Sequence, residues 1–221
     1  MKSVLLIGLG KFGQTLGNKL INMGDEVMIV DKNEDVINTL APKYSNALIA
    51  NCMNADTLKS MDIPAFDVCI VAIGDDFQSS LEITPHLKDL GAKYIISKAT
   101  TEIQKKFLLR SGADEVIYPD LDIAEKVAIK LNSTAVFDYI EIDSVYSIFT
   151  IDIPKEWIKK RLIDVNPRKK YGLNILTIKR DKQVIESPSA DYVFKPGDHI
   201  VVFGNTEEIL AFTNSNQKKR K

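Results

Sequence analysis

Gly8-Leu9-Gly10-Lys11-Phe12-Gly13 is the stretch of this chain best equipped to do chemistry. Three glycines at that spacing carry meaning only between a strand and a helix, and both flanks are present. Residues 3–7 form a continuous apolar run, and Phe12, Leu16 and Leu20 then recur at helical spacing. Gly8 permits a tight turn, Gly10 lets a phosphate approach the backbone, and Gly13 lets the helix pack close to the sheet. Free N–H groups and the helix dipole then favour an anion at the loop. The alternative is a tight turn that serves structure alone.

Asp31 follows the next apolar run, residues 26–30. A carboxylate at that strand end accepts hydrogen bonds from an adenosine ribose and repels a 2′-phosphate, which disfavours NADP. Its structural alternative is a helix N-cap, since Lys32 and Asn33 lead into a helix. A cation at Lys11 meets terminal phosphates, which suits ATP or ADP better than NAD or NADH; otherwise it is a solvated lysine that the helix dipole disfavours by roughly 0.3–1 kcal/mol. Asn51-Cys52-Met53 and Ala72-Ile73-Gly74-Asp75 follow the third and fourth strands, at the edge where an adenine would rest. Lys98 and Asp120 end later strands on that same edge.

These residues need a sheet to gather them. Strand signals at 3–7, 26–30, 47–50, 68–73, 94–98 and 115–118 alternate with helical ones, including the stripes Ile103/Phe107 and Ile123/Val127/Leu131. The fold class is α/β: a Rossmann-like doubly wound parallel sheet over residues 1–132. Pro85 falls inside the helix drawn over 77–90, so that helix either starts late or is kinked. After Asn132 the pattern becomes short strands at 137–142, 147–153, 173–178, 183–186 and 199–203. Ser187-Pro188 and Pro196-Gly197 supply turns, and a helix over 207–212 closes the unit. This gives a second, smaller α+β domain over 136–213 and a basic tail over 214–221.

Bulk properties narrow the function. The 221 residues are 45% hydrophobic with a formal net charge of −1, which argues against nucleic acid as a partner. The apolar runs are strand-sized, with no membrane span and no signal peptide, and Cys52 and Cys69 read as inert core thiols of a reducing cytosol. A dehydrogenase needs an acid or base poised over its nicotinamide. The two histidines, His86 and His199, lie in no catalytic setting, and the second half has no nucleophile elbow. Ligand sensing without turnover is therefore the leading reading, and an NAD-dependent oxidoreductase is the alternative.

Taken together, Ile7 through Gly13, Val30-Asp31, Val71-Ala72-Ile73-Gly74 and Ser111-Gly112-Ala113-Asp114 resemble the bacterial KtrA/TrkA family. In the second half, Arg168-Lys169-Lys170-Tyr171-Gly172 and Lys195-Pro196-Gly197-Asp198 match the same family's small domain. The resemblance implies an RCK N-terminal domain and an RCK C-terminal (TrkA-C) domain, in a cytoplasmic, non-enzymatic regulator of potassium uptake. Such a protein forms homodimers that assemble into an octameric ring. The ring docks on a KtrB- or TrkH-like potassium channel subunit at the inner face of the membrane, with ATP favouring conduction and ADP opposing it.

Carried over by position, Gly10, Lys11 and Gly13 would hold phosphates, Asp31 the ribose, and Asn51, Ala72 and Ile73 the base. Gly8, Phe12, Lys32, Cys52, Gly74 and Lys98 complete that expected site. The family commonly has arginine where Lys11 stands and glutamate where Asp120 stands; the latter helps bind a divalent cation, Mg²⁺ or Ca²⁺, between subunits. Asp120 could equally be a capping aspartate. The resemblance also implies a second ligand, cyclic di-AMP, across a two-fold axis. Leu162, Ile163 and Ile175 would pack its adenines, Arg168 would pair with a phosphate, Asn174 would hydrogen-bond, and Asn166 belongs to the same expected site. The family commonly has Asp-Val where Asn166-Pro167 stands, and the alternative for the whole stretch is a plain dimer contact.

Overall fold

The computed structural model describes residues 1–132, 135–181 and 183–218. The chain divides into two compact units, Met1–Asp122 and Ile123–Lys221. In the first unit the elements are β1 (Ser3–Ile7), α1 (Lys11–Asn22), β2 (Glu26–Asp31), α2 (Glu34–Leu40), β3 (Asn46–Ile49), α3 (Ala55–Lys59) and β4 (Val68–Val71). They continue with α4 (Phe77–Asp89), β5 (Ile95–Lys98), α5 (Glu102–Arg110), β6 (Glu115–Ile117) and α6 (Pro119–Asn132), most of which falls in the second unit.

Six parallel strands lie in the order β3-β2-β1-β4-β5-β6. The order reverses direction between β1 and β4, which opens a crevice at their carboxyl ends. Register makes that edge level: Ile7 pairs with Val30 on one side and with Val71 on the other. The apolar run of β1 is continuous because both faces of the sheet are covered. Leu5 packs in one core with Cys69 and Ile95, and Leu6 in the other with Ile29 and Ile70. Each such fully buried leucine contributes about 1.5–3 kcal/mol.

Helix α4 does not start late and is continuous through Pro85. It runs from Phe77 to Asp89, with Asp76 as its N-cap. Proline forfeits only the bond its N–H would give the Leu81 carbonyl. Around it, buried Thr84 donates its hydroxyl to the Ser80 carbonyl and lies 2.9 Å from the Ser97 hydroxyl of β5, which ties the helix to the sheet. The apolar stripes that mark α5 and α6 are exposed: Ile103 at 58% and Phe107 at 44%, Ile123 at 60% and Leu131 at 80%.

The second unit contains β7 (Val136–Glu141), β8 (Tyr146–Asp152), α7 (Leu162–Val165), α8 (Pro167–Tyr171), β9 (Asn174–Arg180), β10 (Gln183–Ile185), β11 (His199–Asn205) and α9 (Thr206–Lys218). Its antiparallel sheet has the order β10-β9-β11-β8-β7. One face buries Phe149, Ile178, Ile200 and Val202 together with Trp157, Phe194 and Phe212. Beside this core, Asp198 is 1% exposed and accepts hydrogen bonds from the Arg180 guanidinium (2.7 Å), the Tyr192 hydroxyl (2.9 Å) and the Lys195 N–H (2.8 Å). The Lys195-Pro196-Gly197-Asp198 turn is thereby pinned across the sheet. The closing helix is longer than its sequence signal, so the tail expected from residue 214 begins as helix, and its residues 219–221 lie outside the described ones.

Candidate functional site

The crevice between β1 and β4 opens into a cavity of about 240 Å³. Of the expected residues, Gly8, Gly10, Asp31, Lys32, Asn51, Cys52, Ala72, Ile73 and Gly74 line it. Register explains the gathering. Asp31 pairs with Ile49 and Ile7 with Val71, so the segments that follow β1, β2, β3 and β4 emerge side by side.

Gly8 turns the chain with φ +93°, a conformation that favours glycine, and its N–H donates to the Val30 carbonyl at 2.9 Å. A Cβ on Gly13 would collide with the Gly8 carbonyl oxygen, so α1 packs against the loop only because residue 13 is bare. Gly10 is different. It is the N-cap of α1 with no side-chain cap, and nothing lies within 4 Å of where its Cβ would be. The N-terminus of α1 therefore faces open space with its first N–H groups uncommitted, which is an anion-binding geometry.

Asp31 has a role that sequence spacing could not show. One carboxylate oxygen accepts the Leu9 N–H at 2.7 Å and the other the Asn33 N–H at 2.9 Å. The carboxylate thus fastens the glycine loop to the end of β2, and each oxygen keeps a lone pair for a further donor. Asn33, and not Asp31, caps α2, through its side chain to the Val36 N–H. Cys52 closes the cavity floor. Burial pushes its thiol up to about 12, and the Asp31 charge adds to the effect; burial alone brings Cys69 to about 12.

Three wall residues, Asp76, Ser79 and Ile83, come from the start of α4 and escaped the sequence reading. The signal for the first two was the spacing Asp76-Phe77-Gln78-Ser79 ahead of an apolar stripe, an N-cap pattern. The Ser79 hydroxyl donates to Asp76 at 2.6 Å, and the Ser79 N–H at 3.1 Å, which holds the Asp76 carboxyl below the usual carboxylate range. Lys32 reaches toward Asp76 at 3.9 Å. Both are solvated, so the pair contributes little energy.

Four expected residues lie outside the wall. Gly13 is buried under the loop, and Lys11 is exposed at the first position of α1 and is not part of the cavity wall. Phe12 and Lys98 meet each other beyond it, with the ammonium 5.7 Å from the ring centroid. Asp120 does not end β6; it stands exposed in the first turn of α6, where a negative charge suits the helix dipole. Among the described residues no group of three or more His, Cys, Asp or Glu side chains could hold a metal ion.

In the second unit, Leu162 and Ile163 lie in α7, Arg168 in α8, and Asn174 and Ile175 open β9. Asn166 sits between the short helices with left-handed backbone, φ +50°. Leu162 and Ile175 are partly buried against their own core, and Ile163, Arg168 and Asn166 are exposed. The Asn174 amide donates to the Phe203 carbonyl at 3.4 Å. His199 lies 2.9 Å from Asp152 and against the Phe137 ring, remote in sequence from the cavity residues.

A switch-point cavity beside an open helix end, followed by a small antiparallel unit, defines a chain with a Rossmann-like first unit and a smaller second one. Residues 4–119 match the TrkA-N domain model and residues 146–216 the TrkA-C domain model. The chain is 37% identical over 211 residues to Ktr system potassium uptake protein C of Bacillus subtilis (strain 168), covering 96% of both chains. It is 36% identical to protein A of the same system and organism, again over 96% of each. The chain belongs to the TrkA-type family of Ktr potassium uptake proteins. Among solved structures it superposes on the RCK domain of GsuK with a TM-score of 0.66 at 17% identity, covering 96% of this chain and 47% of that one. For the GsuK channel bound to NAD the TM-score is 0.68 at 17% identity, covering 96% of this chain and 39% of that one. The chain thus spans less than half the length of these two solved chains.

Proposed function

We propose that this protein is the nucleotide-sensing regulatory subunit of a potassium transport system, with ATP and ADP competing for the cavity between β1 and β4. The observation that carries the reading is the open N-terminus of α1 at Gly10, beside a carboxylate at Asp31 with acceptor capacity left for a ribose. Kinship along the whole chain to Ktr potassium uptake proteins supports the transport role. Among the described residues no helix is long and apolar enough to cross a membrane, so the ion pathway belongs to a separate channel subunit in this reading. The chain acts in the cytoplasm, at the inner face of the membrane.

The exposed stripes of α5 and α6 provide apolar surface for dimers that close into an octameric ring. A tenfold preference of each site for one ring state is worth about 1.4 kcal/mol, and eight sites sum to about 11 kcal/mol, enough to bias a gate. The second unit takes cyclic di-AMP through Ile163, Arg168 and Asn174, and Arg168→Ala abolishes that binding alone.

The test is calorimetry of the purified chain with ATP, ADP, NAD and NADH, followed by copurification of a membrane protein from its native cell. Micromolar ADP and ATP binding and a potassium channel partner are expected. Turnover of NADH with a small substrate would establish the competing class, an NAD-dependent oxidoreductase.

A further inference from the structure

Lys98 is the last residue of β5 and is half-buried, yet among the described residues it forms no ion pair. Its ammonium has two neighbours that fix its position. It stands 5.7 Å from the centroid of the Phe12 ring, in the first turn of α1. It also lies 2.8 Å from where a Cβ on Gly74 would be, directly over the bare backbone that follows β4. A half-buried cation held by a ring face and a bare glycine, with no ion-pair partner among the described residues, is poised for an anion.

Topology says which anion. The adenosine-sized cavity is walled by segments that follow β1, β2, β3 and β4. Lys98 belongs to β5, on the other side of β4. A nucleotide with its base and ribose in the cavity sends its phosphates across the N-terminus of α1 toward β5. A monophosphate stops at the loop. A diphosphate or triphosphate chain continues toward Lys98. A dinucleotide would instead place its second nucleoside there, and in NAD⁺ that group is cationic.

We propose that Lys98 sets the nucleotide preference of this site, selecting ADP and ATP over AMP and over NAD⁺. The inference rests on the reading of the cavity as an adenine-nucleotide site and adds the residue that measures phosphate-chain length. Charge-assisted contact with a terminal phosphate strengthens the longer nucleotides, and like-charge repulsion with bulk at the same spot weakens NAD⁺. Gly74 belongs to the device, because a methyl there pushes the ammonium off its seat.

Calorimetric titration of the full chain with AMP, ADP and NAD⁺ tests this in wild type, Lys98→Met, Lys98→Arg and Gly74→Ala. The wild type is expected to prefer ADP over AMP by at least tenfold. Lys98→Met should cut that ratio about tenfold and raise NAD⁺ affinity relative to ADP. Lys98→Arg should keep most of the preference, and Gly74→Ala should lose part of it. ADP and AMP affinities that change in step, or an ADP-to-NAD⁺ ratio that Lys98→Met leaves alone, would overturn the role of Lys98 while leaving the nucleotide site standing. A wild-type chain that binds neither AMP nor ADP would instead remove the site reading itself.

Discussion

Gly10 and Gly13 are three residues apart, one the N-cap of α1 and the other inside its first turn, yet adding a methyl to each should have opposite consequences. At Gly13 the new Cβ overlaps the Gly8 carbonyl oxygen and lies 3.2 Å from its carbon, and both atoms belong to backbone that the Gly8 turn already fixes. Helix α1 must therefore slide away from the sheet. Overpacking of this kind costs about 1–3 kcal/mol, so Gly13→Ala should lower the Tm of the first unit by about 3–10 °C. At Gly10 the Cβ meets nothing within 4 Å, and φ is −64°, which any residue adopts. Loss of a tolerable N-cap residue and the gain from a less flexible unfolded chain nearly cancel, within about 1 kcal/mol. The same methyl, however, occupies the space through which a phosphate would approach the α1 N–H groups. Gly10→Ala should thus unfold with the wild-type Tm while binding ADP at least tenfold more weakly, about 1.4 kcal/mol. Differential scanning calorimetry gives the first quantity and isothermal titration the second. A Gly10→Ala protein that binds ADP like the wild type would show that the space over Gly10 is not ligand space. A Gly13→Ala protein with an unchanged Tm would refute the packing argument.

Three further outcomes follow from the same geometry. Asp31→Ala removes the acceptor of the Leu9 and Asn33 N–H groups as well as the proposed ribose contact, and should weaken ADP binding by about 1–3 kcal/mol; equal affinity in titration would disprove the assignment. Asp198→Ala strands the Arg180 guanidinium beside the second core and should cost about 3–5 kcal/mol, read in denaturant by fluorescence of Trp157, the sole tryptophan and a member of that core. Asp67, Asp76 and Asp114 have carboxyls held below the ordinary value, chiefly by the Ser3 N–H, the Ser79 hydroxyl and the Lys88 ammonium respectively. Their contribution to stability is complete above the unfolded value of about 4 and disappears as pH falls through the lower folded values. The first unit should therefore hold its Tm from pH 7 to about pH 5 and lose it steeply below about pH 4; a Tm flat to pH 2 would count against these bonds.

What could be read in the chain alone was whatever local spacing determines. The glycine loop, the strand ends at Asp31, Asn51 and Ala72, and thereby the order of the cavity wall follow from strand-turn-helix patterns a few residues long. Contacts made across the sheet were hidden. Nothing in the spacing shows that Asp31 holds the Leu9 N–H, or that Lys98 and Phe12 share one spot from positions 86 residues apart. Helical periodicity marked Ile103, Phe107, Ile123 and Leu131 correctly as helix residues, but periodicity says only that apolar groups share a face, not that the same chain covers it. The helices α7 and α8 are four and five residues long and are separated by Asn166 in a left-handed conformation, too short to carry a period at all. Lys11 sits in a motif whose neighbours Gly8 and Gly10 line the cavity, while it is itself an exposed residue at the start of α1 and outside the wall.

The hydrogen bond from Leu9 to Asp31 also sets a time scale. A glycine-rich loop left free would have to be ordered by each arriving nucleotide, at a cost in entropy and in the speed of capture. Here the β2 carboxylate keeps the loop in shape before anything arrives. In the proposed role, capture would then not wait for this loop to be ordered. In the proposed role such a site is shaped for its nucleotide in advance, and the ordering of the loop takes nothing from the affinity.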